Sequence, residues 1–142
     1  MLRRWRRNRW RAQTVVEFAL VLPLLLFVMV LMLEVGRMLY VHIVVTNAAW
    51  EGARVGAAPA EPTQADAEIR GAVRQAAYGL DPERLTIRIQ PSQDEPPRNL
   101  PSPAPRGYPL TVTVTYHLQL MLWAAEVPIS AQATTVMEYQ NP

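Results

Sequence analysis

The sequence predicts an α+β fold: a long N-terminal helix, a second short helix and a small antiparallel sheet of about three strands. Three observations predict it. Phe18–Leu33 is an uncharged apolar run, Glu34–Ala58 continues without proline, and two later segments alternate apolar with polar residues. Those periods, about 3.6 residues for a helix and 2 for a strand with one buried face, set the element types.

The apolar run comes first. Sixteen residues from Phe18 to Leu33 span roughly 24 Å as a helix, and including Val15 and Val16 lengthens this to about 28 Å. That length suits one membrane crossing. A cleavable secretory signal has a shorter apolar core, about 7–15 residues, and a small-residue cleavage site close behind it. Here the exit reads Glu-Val-Gly-Arg, and the small residues of "GAAPA" (56–60) come much later, so the segment is expected to stay in the membrane.

Charge orients the segment. All fourteen basic residues are arginine, and Arg3, Arg4, Arg6, Arg7, Arg9 and Arg11 precede the apolar run with no acid among them. From Gln13 onward eight arginines face twelve acids, a balance of −4. Arginines beside a membrane segment hold that end in the cytoplasm, and Trp5 and Trp10 suit the headgroup layer. This topogenic reading outranks nucleic-acid binding for so short a basic head. The chain has no cysteine, which excludes disulfides, thiolate chemistry and cysteine zinc sites.

Beyond Leu33 the helix is expected to run on to Ala57 and stop at Pro59 and Pro62. Gly36, Tyr40, Val44, Ala48, Gly52 and Gly56 fall at steps of four along one side. The last three form a small-xxx-small row that lets another backbone approach closely, either within the chain or between subunits. Glu34/Arg37 and Glu51/Arg54 are spaced for i,i+3 ion pairs.

Thr63–Leu80 reads as an amphipathic helix with Ile69, Val73, Ala76/Ala77 and Leu80 on one face, capped by Thr63 with Asp66. Leu85–Gln90, Leu110–Leu120 and Ile129–Tyr139 are the strand candidates. Pro91–Pro109 holds seven prolines in nineteen residues and is expected to be an exposed, extended loop. The expected organisation is a basic cytoplasmic leader over 1–12, a transmembrane segment over 13–34, its extramembrane continuation over 35–58, and a small extracytoplasmic α+β domain over 59–142.

The N-terminal motifs resemble those of a known family. Glu17-Phe18, Leu22-Pro23, Glu34-Val35-Gly36-Arg37 and "NAAWEGARVGA" (47–57) occur in the order seen in TadE-like proteins, minor pilin-like subunits of tight-adherence (Tad/Flp-type) pilus systems. The dense resemblance covers about Gln13–Ala57. It implies a pilin-like fold, processing by a prepilin peptidase between Ala12 and Gln13, and assembly through the N-terminal helix at Glu17, Phe18 and Pro23 together with Gly36, Ala48, Gly52 and Gly56. The family usually has glycine where this chain has Ala12. By analogy with pilins, the Glu17 carboxylate would pair with the new α-amine of a neighbouring subunit, offsetting its desolvation cost. The implied partners are the membrane, other pilin-like subunits, Tad assembly proteins and the peptidase. The implied location is the cytoplasmic membrane of a bacterium or archaeon, with entry into a surface pilus.

No catalytic constellation emerges. His42 and His117 lie in no H-x-x-x-H pair, Ser92, Ser102 and Ser130 lie in no nucleophile-elbow context, and Asp94-Glu95 sits among prolines. A non-enzyme with no cofactor, no metal, no nucleic-acid partner and no small-molecule substrate is expected. The competing reading is a monomeric signal-anchored binding module.

Overall fold

The computed structural model describes residues 3–99, 106–121 and 125–138, with side chains from Gln13 onward except Pro62. Helix α1 spans Arg3–Ala57 and α2 spans Ala65–Ala76. Strands β1 (Leu85–Gln90), β2 (Pro109–Gln119) and β3 (Glu126–Val136) form one antiparallel sheet in the order β1-β2-β3. The chain divides into two compact units, 1–37 and 38–142.

The first unit is helix alone, and its apolar residues face outward. Phe18, Leu20, Leu24 and Leu25 are all more than half exposed. Water does not tolerate a helix apolar on every side, so this surface needs lipid or protein around it. One helix of the described residues, within Gln13–Ala57, is long and apolar enough to cross a membrane.

In the second unit, α1 from Met38 onward, α2 and one sheet face enclose a single core. Val41, Val45, Ala48, Ala49 and Ala53 of α1, Ile69 and Val73 of α2, and Leu110, Val112, Val114, Tyr116 and Leu118 of β2 are buried. Burying each large side chain contributes roughly 1.5–3 kcal/mol, which makes this layer the main stabilising term. The strict alternation along β2 places every second residue in this layer.

The helices meet where α1 lacks side chains. A Cβ on Gly52 would lie 3.1 Å from Val112 Cγ1, and one on Gly56 would lie 2.9 Å from Ile69 Cδ1 and closer still to Leu110. Gly56 beside Leu110 and Gly52 beside Val112 mean that α1 runs antiparallel to β2. The step of four helical residues, about 6 Å, matches two strand residues, about 6.8 Å.

Three sequence expectations need correction. The helix expected over Thr63–Leu80 is shorter, because Pro62–Gln64 forms a 3-10 turn and Gly79, at φ +86°, takes a backbone conformation that L side chains rarely adopt. Thr63 does not cap it; its hydroxyl donates to Glu61, and Gln64, at the N-cap, makes no side-chain cap bond. The loop expected to be exposed and extended from Pro91 instead folds into turns over residues 91–99, with Arg98 buried at 3 % exposure. Asp66 holds it there. Its carboxylate accepts from Arg98 Nη1 and from the Gln93 backbone N–H at 3.0 Å, while Arg98 also donates to the Pro91 carbonyl. A charge-assisted anchor outweighs the extended preference of the prolines. Residues 100–105, with Ser102, lie outside the described residues.

Candidate functional site

The residues singled out for assembly lie along α1 but in two different surroundings. Glu17, Phe18 and Pro23 sit in the exposed apolar unit, where Phe18 is 63 % exposed. Proline at position 23 removes one backbone donor, so the helix lacks the bond back to Ala19. Glu17 Oε1 accepts a hydrogen bond from Gln13 Nε2 at 3.2 Å, one helical turn back. This amide partly meets the acceptor demand of a carboxylate at the start of the apolar run.

Gly36 is exposed, and an added Cβ there meets nothing within 4 Å. Ala48, Gly52 and Gly56 are buried under α2 and β2. Of the two packing readings for the small-residue row, these three residues take the one within the chain. The six N-terminal arginines and Ala12 belong to the part of α1 whose side chains lie outside the described residues.

Glu51 and Arg54 form an exposed, two-pronged ion pair, with Arg54 Nε 2.9 Å from Glu51 Oε2. The hydrogen bond from Arg54 holds the Glu51 carboxyl below the usual carboxylate range, and the same bond raises the arginine further. Glu34, at 7 % exposure, is buried on α1, while Arg37 is half-buried.

Sequence reasoning passed over two features. One is the Asp66–Arg98 anchor, whose partners are 32 residues apart. The other is the uncovered face of the sheet, where Thr86 and Arg88 of β1 pair with Thr115 and Thr113 of β2. On this face Thr115 also shares a hydrogen bond with Ser130 of β3 at 3.0 Å, and Thr111 with Thr134 at 2.9 Å. The alternation of "LTVTVTYHLQL" marked the face as polar but did not reveal which strand lies beside it. His42 is exposed on α1 and His117 is half-buried on β2, so the two histidines do not form one cluster. Among the described residues no group of three or more His, Asp or Glu is placed to hold a metal ion.

No curated protein and no solved structure matches the chain. Residues 12–54, the stretch that carries Glu17-Phe18, Leu22-Pro23, Gly36-Arg37 and Glu51-Gly52-Ala53-Arg54, match the family model described as TadE-like protein, the family these motifs resemble.

Proposed function

We infer that this chain is a minor pilin or pseudopilin, a membrane-anchored structural subunit that takes part in assembling a Tad-type pilus or a related secretion apparatus. The TadE-like match over residues 12–54 carries this reading, because it suggests a Tad pilus-associated membrane protein. The exposed apolar surface of α1 supports it further, since that surface requires a lipid or protein environment. The six arginines ahead of the apolar run support an orientation with the N-terminus in the cytoplasm and the domain after residue 58 outside it.

Assembly then proceeds by lateral packing of α1 against other subunits. Glu17 lies near the cytoplasmic edge, where a carboxylate costs less than the roughly 2.5–3.5 kcal/mol of mid-membrane placement. After a prepilin peptidase cuts between Ala12 and Gln13, the α-amine of a neighbouring subunit replaces the Gln13 amide as partner of Glu17. An ion pair in a low-dielectric setting offsets the remaining cost and favours association over isolation. The role is structural and involves no catalytic step.

The absence of cysteine gives a direct test by single-cysteine cross-linking in membranes. Phe18→Cys and Gly36→Cys are expected to cross-link to another pilin-like subunit carrying a cysteine in its own apolar helix. Ala48→Cys, buried within the chain, is expected not to. Equal absence of cross-links at all three positions refutes lateral packing and returns the monomeric anchored module.

A further inference from the structure

The uncovered face of the sheet carries a cation with no role in the fold. Arg88 stands in the middle of β1 opposite Thr113, and among the described residues it makes no ion pair or hydrogen bond. Arg88 lines a surface cavity of about 260 Å³ together with His117, Thr86, Thr113 and Thr115. Among the described residues no carboxylate lines that cavity. The charged groups nearest in register are accounted for. Arg84 pairs with Asp81 and donates to Gln119, and Glu126 lies opposite Gln119 at the sheet's end.

The lining residues supply donors. A guanidinium presents a fork of N–H groups matched to two oxygens of an oxyanion. His117 adds an imidazole N–H, and Thr86 and Thr113 add hydroxyls. Thr115 keeps its proton for the cavity when Ser130 donates to it across the strand pair. A carboxylate offers two oxygens to this set, whereas a phosphoryl group offers three. The cavity is an open depression on the sheet, so a group bound there keeps one side toward solvent. Beyond the cavity, the Thr111–Thr134 hydroxyl pair and Gln132 extend the polar surface along the sheet.

We propose that this sheet face is a binding site for a phosphoryl group carried on a polyol or sugar, with Arg88 as its main anchor and His117, Thr86, Thr113 and Thr115 completing the donor set. The site stands on β1 and β2, apart from α1, and does not depend on the assembly role.

The test uses the full chain purified in a neutral detergent and titrated with inorganic phosphate, glycerol 3-phosphate, glycerol and short-chain phosphatidylglycerol, followed by calorimetry. Saturable binding of glycerol 3-phosphate, weakened about tenfold or more by Arg88→Gln and less by Arg88→Lys, is the expected result. Thermal melting of each variant within error of the parent shows that the loss is not unfolding. Equal affinity in parent and Arg88→Gln overturns the proposal. So does binding of glycerol as tight as that of glycerol 3-phosphate, or binding of the lipid alone, which would assign the face to the membrane surface.

Discussion

Arg98 reaches from the proline-rich segment to Asp66 in the first turn of α2, and where they meet its side chain is 1 % exposed and that of Asp66 17 %. The contact joins segments that sequence reading placed in separate elements. It fixes the course of residues 91–99 after β1.

Removing one partner leaves a buried charge behind. Asp66→Ala is expected to cost about 3–5 kcal/mol of stability, measured by denaturant unfolding of the full chain in detergent. Replacing both partners, Asp66→Leu with Arg98→Met, is expected to cost less than Asp66→Ala alone, because no ion then needs a partner. The reverse order would show that the pair does not anchor the segment.

The glycines of α1 should separate by position. Gly56→Ala forces its Cβ against Leu110 and Ile69 and is expected to destabilise the domain by about 1–3 kcal/mol through overpacking. Gly36→Ala meets nothing within the chain and should be neutral or stabilise the helix by up to about 1 kcal/mol. Thermal melts of the two variants check this directly. A larger residue, Gly36→Leu, should leave the melt unchanged and reduce co-purification with other pilin-like subunits.

The Glu51–Arg54 pair governs a small acid sensitivity. The Glu51 pKa is lowered by its bond to Arg54, so the pair's contribution is present above the ordinary glutamate pKa, about 4.3. It is lost as pH falls through the lower folded-state value. Both side chains are exposed, so solvent screening keeps the effect small. Glu51→Gln is expected to leave the neutral-pH melting temperature within error and to remove only this part of the acid-side decline. A large loss of stability at pH 7 would contradict the exposed placement.

Processing has its own readout. N-terminal sequencing of the mature membrane-fraction protein is expected to begin at Gln13. Ala12→Gly, which supplies the glycine usual among TadE-like proteins, should raise the processed fraction. A mature chain beginning at Met1 or Leu2 in both proteins would remove the peptidase from the account.

The sequence was most legible where its period was clean. The apolar run, its proline-free continuation and the alternation of β1 and β2 each follow from local spacing, and the α+β class rests on them. The start of α2 departs from the expectation because Thr63 and Asp66 have the spacing of a cap, while Asp66 instead serves Arg98 and Gln93. Proline content alone implied an extended loop. It carried no sign that one buried arginine would draw residues 91–99 against a helix 32 positions earlier. For Ala48, Gly52 and Gly56, spacing showed that something must approach closely, and only the fold identified it as the chain's own α2 and β2. The Arg88 cavity depends on the register between β1 and β2, which alternation within one strand does not specify.

The central claim is that Glu17 serves assembly, and one measurement tests it most directly. The full chain and its Glu17→Ala variant are expressed with the pilus components and compared for membrane insertion and co-purification. The account predicts that Glu17→Ala inserts as well as the parent and loses co-purification with those components. Unchanged co-purification of a fully inserted Glu17→Ala chain would contradict it and leave α1 as an anchor alone.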